Sequence, residues 1–184
     1  MIVAMESIRR GDVMQRFPMT WEEYLAADVV PSEYYGGALV VAAQPSQRHQ
    51  DIQFRLHVPV AQHVAPGTKV TGGWGWIPTG VREDLGPDLM VHDITDEQRA
   101  LSGVPHLVVE IVSSRRANDY RAKAERYAAW GAPSYWIVDP REHEVITLRL
   151  ADGAFVETGR FSGGEAILRY GAVEVPVDID ALLA

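Results

Sequence analysis

Apolar residues fill both alternating faces of Leu107-Val108-Val109-Glu110-Ile111-Val112, and a carboxylate interrupts them. A run of this kind predicts a strand covered on both sides. Burying an unpaired charge costs several kcal/mol or more, so Glu110 needs a metal ion, a cation or a proton as partner. Around this strand the pattern alternates between helical and extended spacing. Thr20 and Glu23 form a capping box, with Met19 and Tyr24 placed as a hydrophobic staple, which predicts a helix from Trp21 to Ala27. Tyr34 to Ala43 reads as a hairpin turning at Gly36-Gly37. Ser46 to Val64 has helical spacing at His49, Ile52, Gln53, Leu56 and Val60, and Pro59 is expected to kink or end the helix nearby. Strands are expected within Thr68 to Pro78 and over Pro87 to His92. Asn118 is placed to cap a helix reaching Trp130, where Gly131 and Pro133 stop it. Further strands are expected over Ser134 to Val138, Glu144 to Leu150, Gly153 to Phe161 and Ala172 to Val177, with a closing turn from Ile179 to Ala184. This order predicts an α/β fold, a mixed sheet with helices packed on it.

A chain of 184 residues suits one domain spanning 1–184, with 1–18 expected as a loosely attached N-terminal arm. The absence of cysteine excludes disulfides, thiolate metal sites and cysteine nucleophiles, and suits a reducing cytoplasm. No apolar run is long enough to predict a membrane span, and the N-terminus lacks the apolar stretch of a signal peptide. A net charge of -8 opposes non-specific nucleic-acid binding, so any such role needs a local basic patch. Arg115, Arg116, Arg121 and Arg126 are candidates for that patch, or they form a solvated loop and helix face. The cations are 15 arginines and only two lysines, Lys69 and Lys123, so each lysine raises the question of why it is not arginine.

Three residues make a chemical constellation. Asp88 follows Pro87 at the start of one strand, Glu110 lies in the next strand candidate, and Lys123 is on the following helix. Two carboxylates on neighbouring strands suit a hard divalent ion that keeps waters and phosphate oxygens as its other ligands. Tyr120, Ala124, Tyr127 and Trp130 share a helical face that includes Lys123, so its ammonium should point towards the sheet. The plainer readings are a turn role for Asp88, a metal-free Glu110–Lys123 ion pair, and a surface pair of Lys123 with Asp119.

Pro87-Asp88, then Glu110, then a lysine displaced onto the next helix resembles the PD-(D/E)xK nuclease superfamily. More narrowly, the chain resembles the Uma-type putative restriction endonucleases. Val109-Glu110-Ile111-Val112-Ser113, Asn118-Asp119-Tyr120-Arg121-Ala122-Lys123 and Tyr135-Trp136-Ile137-Val138-Asp139-Pro140 carry the resemblance most strongly. The resemblance implies a restriction-endonuclease-like fold, a central mixed sheet flanked by helices, and metal-dependent cleavage of phosphodiester bonds. Asp88 and Glu110 would hold Mg²⁺ or Mn²⁺, and Lys123 would orient the attacking water. Glu33 matches a glutamate of the family's N-terminal motif and His49 a histidine, both as accessory residues. Ala38 departs from the family's usual Glu, and Ser113-Ser114 shortens its Ser-Pro-Ser.

The expectation is therefore a Mg²⁺-dependent DNA endonuclease in the cytoplasm, acting as a homodimer because cutting both strands needs two sites. The alternative is a catalytically inactive nucleic-acid or protein-binding module that keeps the fold. His57 and His63 lack the i,i+4 spacing of a helical zinc site, and the glycines fit no phosphate-loop pattern. Trp74 and Trp76 are candidates for base stacking or for core packing.

Overall fold

The computed structural model describes residues 15–27, 29, 32–41, 44–112 and 119–184, the first three of α3 by backbone alone. In chain order the elements are β1 (Gln15–Pro18), α1 (Trp21–Ala27), β2 (Glu33–Tyr35), β3 (Ala38–Val41), α2 (Gln47–His63), β4 (Thr68–Gly72) and β5 (Gly75–Trp76). They continue with β6 (Leu89–Asp93), β7 (Ala100–Leu101), β8 (Leu107–Ile111), α3 (Asp119–Ala129), β9 (Ser134–Asp139) and β10 (Glu144–Ala151). The last are β11 (Ala154–Phe161), β12 (Glu165–Tyr170), β13 (Val173–Asp178) and α4 (Ile179–Leu183).

Six strands form the central sheet in the order β11-β10-β9-β8-β6-β4. Only β8 and β9 run parallel, because α3 carries the chain across between them. The other pairs are antiparallel, so the sheet is mixed as expected. Its alternation separates two cores. Leu107, Val109 and Ile111 of β8 join Leu89, Val91, Trp136 and Val138 beneath α2, α4 and the β12–β13 hairpin. Val108, Met90, Tyr135 and Ile137 face the other way, towards Tyr127 of α3 and Tyr35 of β2. Glu110 shares the parity of Val108 and so points into this second layer.

The small sheet β1-β3-β2 closes that layer. Gly36 and Gly37 both have positive φ, 58° and 70°, as a two-residue turn between paired strands requires. The capping box of α1 is made: Thr20 N–H donates to Glu23 Oε2 at 2.7 Å, and Glu23 N–H to Thr20 Oγ1 at 3.2 Å. Ser46 caps α2 by accepting from His49 N–H.

Three expectations need correction. The helix over Gln47–His63 does not end at Pro59. Ile52, Leu56 and Val60 are buried on both sides of the proline, and this packing outweighs the lost backbone hydrogen bond. Of the expected arm over 1–18, residues 15–18 instead pair along β3, with Arg16 opposite Val40, and residues 1–14 lie outside the described residues. Glu165–Tyr170 is an additional strand, which turns the single expected strand near the C-terminus into a hairpin. Among the described residues, no helix is long and apolar enough to cross a membrane.

Candidate active site

Leu89 of β6 stands opposite Val109 of β8 in an antiparallel pair, so Asp88, just before β6, lies near Glu110, and its charge acts on that carboxyl. Opposed residues in such a pair project to the same face. Asp88 is held from three directions. The Ile111 N–H donates to its Oδ2 at 2.7 Å, His49 Nε2 approaches the same oxygen at 3.1 Å, and Gln53 Nε2 donates to its backbone carbonyl at 2.6 Å. Among the described residues no hydrogen-bond donor occupies Oδ1.

Glu110 is buried, with 7% of the residue accessible. Lys123 Nζ donates to both its oxygens, at 3.0 and 3.1 Å, and the Tyr127 hydroxyl donates to Oε1 at 2.5 Å. Lys123 and Tyr127 are four residues apart on α3, one above the other on its inward face. The ammonium also meets Glu33 Oε1 at 3.2 Å. Glu33 is fixed in turn by the Gly86 N–H, 3.0 Å away. A Cβ at position 86 would lie 3.3 Å from Glu33 Cγ, so glycine lets the carboxylate come close.

One lysine thus serves a group of three carboxylates, Glu33, Asp88 and Glu110. Burial pushes the Glu110 carboxyl up. The charge of Lys123 opposes that rise, and the nearby Asp88 and Glu33 add to it. Burial would lower the Lys123 ammonium, but Glu110, Glu33 and Asp88 together hold it well above its ordinary value. For His49 too burial acts downward, and the contact with Asp88 reverses the sign, raising it. The Tyr127 phenol is raised well above its ordinary value, first by burial and then by the Glu110 charge, so it remains a donor. With all three carboxylates ionised, the single ammonium leaves negative charge uncompensated. A buried group of this kind favours a further cation.

The donor chemistry suits a hard divalent ion: two neighbouring carboxylates, with one oxygen lacking a donor among the described residues. Among the described residues there is no gathered set of three or more His, Asp and Glu that could by itself hold a metal. Any ion here would need water or phosphate oxygens to complete its shell, which is the usual condition for Mg²⁺.

Asp88, Glu110, Lys123, Glu33 and His49 are therefore brought together from β2, α2, β8, α3 and the start of β6. The Lys123 ammonium turns inward to Glu110 and Glu33, and the side chain of Asp119, its other candidate partner, lies outside the described residues. Arg115, Arg116 and Asn118 lie outside the described residues, as does the side chain of Arg121. Arg126 lies over the Tyr35 ring, 3.9 Å from its centroid. Trp76 is a core residue with its indole N–H on the Gly103 carbonyl, and Trp74 packs against His92. Tyr127, Gln53 and Gly86 are site residues that the sequence did not single out. The only signal for Tyr127 was its place one turn after Lys123 on the same helical face.

The chain is similar in fold to the crystal structure of a putative nuclease belonging to DUF820 from Anabaena variabilis. The two share 20% sequence identity with a TM-score of 0.73, over 90% of this chain and 98% of the other. No curated protein matches the chain. A family model described as putative restriction endonuclease, Uma2, matches residues 21–175. That match spans most of the chain and takes in Glu33, His49, Asp88, Glu110, Lys123 and Tyr127, and the protein belongs to this Uma2 nuclease family.

Proposed function

We propose that the protein is a divalent-cation-dependent endonuclease that hydrolyses DNA phosphodiester bonds, with Asp88, Glu110 and Lys123 as its catalytic residues. One observation carries this reading: the antiparallel β6–β8 pair ends next to Asp88 and Glu110, while the Lys123 ammonium reaches Glu110 from α3. Asp88 and Glu110 would hold Mg²⁺ or Mn²⁺, which supplies Lewis-acid polarisation of the phosphoryl group. Lys123 stays protonated and places a compact positive charge beside the scissile phosphate as its charge builds up. Tyr127 fixes the Glu110 rotamer through Oε1, and Glu33 keeps the lysine stem directed at the site. His49 and the Ile111 N–H orient Asp88 through Oδ2, leaving Oδ1 for the ion. The protein acts as one domain in the cytoplasm, and as a homodimer it would place one such site on each strand of a duplex.

One feature favours the alternative, a binding module that keeps the fold without cleaving: Lys123 grips both oxygens of Glu110. Calorimetric titration with Mg²⁺ and Mn²⁺, with cleavage of plasmid and linear DNA in parallel, separates the two. The nuclease reading expects divalent binding and cleavage by wild type, and loss of both in Glu110→Gln. A wild-type protein that binds neither ion at millimolar concentration would end it.

A further inference from the structure

We propose that Arg16 and Arg126, gathered on the ring of Tyr35, form a phosphate-binding clamp for the nucleic-acid backbone beside the cleavage site. The proposal rests on the nuclease reading above and adds a substrate-docking subsite to it. α3 and β2 run in step. Lys123 meets Glu33, and three residues further along α3 Arg126 meets Tyr35, two residues further along β2. Glu33 and Tyr35 share a strand face, so Arg126 is the next cation in line after the catalytic lysine. Arg16 arrives from the other side of the small sheet, where Val40 lies opposite both Arg16 and Glu33. Its guanidinium carbon is 4.9 Å from the same ring centroid, and its Nη2 donates to the Tyr35 carbonyl at 3.0 Å.

Arg82, Arg99, Arg160 and Arg169 are paired with carboxylates, Glu22, Asp84, Glu144 with Glu157, and Glu174 in turn, while Arg48 and Arg55 are spent on backbone carbonyls at the end of the chain. Among the described residues, neither Arg16 nor Arg126 has a carboxylate within ion-pairing distance. Two guanidinium groups collected on one ring repel each other. The π face of Tyr35 offsets part of that cost. An anion lying against both would remove the rest, and guanidinium forks match phosphate oxygens in pairs. The chain carries a net charge of -8, so backbone contacts must come from local cations such as these. The ligand is the phosphodiester backbone next to the cleaved phosphate, read without regard to base sequence.

The test measures binding of fluorescein-labelled random-sequence DNA duplex in EDTA over a salt series, with cleavage in Mn²⁺ measured in parallel. R16Q/R126Q removes both charges and keeps the side-chain stems on Tyr35, and R16K/R126K keeps the charges. R16Q/R126Q is expected to bind several-fold more weakly, with a salt slope lower by about two, at roughly 0.9 per phosphate contact. R16K/R126K is expected to retain most of the slope. Thermal melting of each variant guards against loss of fold. Wild-type affinity and slope in R16Q/R126Q, alongside active wild type, would overturn the clamp and leave the nuclease reading standing. Wild type that neither binds nor cleaves DNA would remove the nuclease reading and the clamp with it.

Discussion

The Tyr127 hydroxyl donates to Oε1 of Glu110 at 2.5 Å, and both residues are buried against the second core. A carboxylate inside a sheet would otherwise have several rotamers. The phenol selects one, on the side that also faces Lys123. Tyr127→Phe keeps the ring packed against Trp76 and Tyr135 and removes only this bond. The expected result is a fold close to wild type in stability, within about 1–2 kcal/mol. Divalent affinity or cleavage should fall roughly 10-fold or more, as for other residues that orient metal ligands. Calorimetry and single-turnover cleavage check this, and unchanged values in both would refute a positioning role.

Among the described residues, Lys123 is the only ammonium beside the three carboxylates Glu33, Asp88 and Glu110. Removing one partner of a buried charge group is expected to cost about 3–5 kcal/mol. Lys123→Ala should therefore lower the melting temperature sharply in EDTA. If the proposed site takes a divalent ion, the deficit should shrink as Mg²⁺ or Mn²⁺ is added, because the ion would replace the missing charge and stabilise the folded state by mass action. Melting curves over a divalent titration supply the measurement. A deficit indifferent to divalent ions would argue that no ion enters the site.

His92 gives a pH dependence of known sign. It is fully buried, between the Thr71 hydroxyl and the Asp93 carbonyl. Burial lowers its folded pKa below the ordinary 6.5, with the Asp93 carbonyl acting against the shift. The stability it contributes is complete above 6.5 and is lost as pH falls through the lower folded value, because only the unfolded chain takes up the proton. The melting temperature of His92→Gln relative to wild type should therefore improve between about pH 8 and pH 5. A constant difference would contradict the assignment.

Pro59 sits inside α2 and interrupts its hydrogen-bond ladder. Alanine at this position restores the N–H and removes the ring. Pro59→Ala is expected to raise stability by up to about 3 kcal/mol, less whatever packing the ring supplies. Chemical denaturation measures the change. A destabilised variant would show that the ring's contacts outweigh its backbone cost.

Local pattern disclosed much of the scaffold. The double-sided run around Glu110 marks a strand between two cores, and the capping box at Thr20 and the glycine pair after Tyr35 set their own boundaries. The strand Glu165–Tyr170 is not legible in the sequence although Ala166, Leu168 and Tyr170 alternate inward, because Ile167 is apolar and exposed and blurs the period of two. Pro59 misled because the breaking tendency of proline is local, whereas the packing of Leu56 and Val60 onto the sheet is not.

For the site, the sequence by itself determined that Glu110 is buried and needs a partner, since burial follows from its apolar neighbours. It also put Lys123 on an inward helical face, because helical angles are fixed by spacing. Only the tertiary structure decided which partners meet. The β6–β8 pairing brings Asp88 near Glu110, the β8–α3–β9 crossover brings Lys123 and Tyr127 over them, and the small sheet adds Glu33. These contacts join residues of β2, β8 and α3 with Asp88 at the entry to β6, and their distances depend on strand pairing and layer packing. A linear pattern encodes which face a residue occupies, and the folded chain alone sets what stands opposite it.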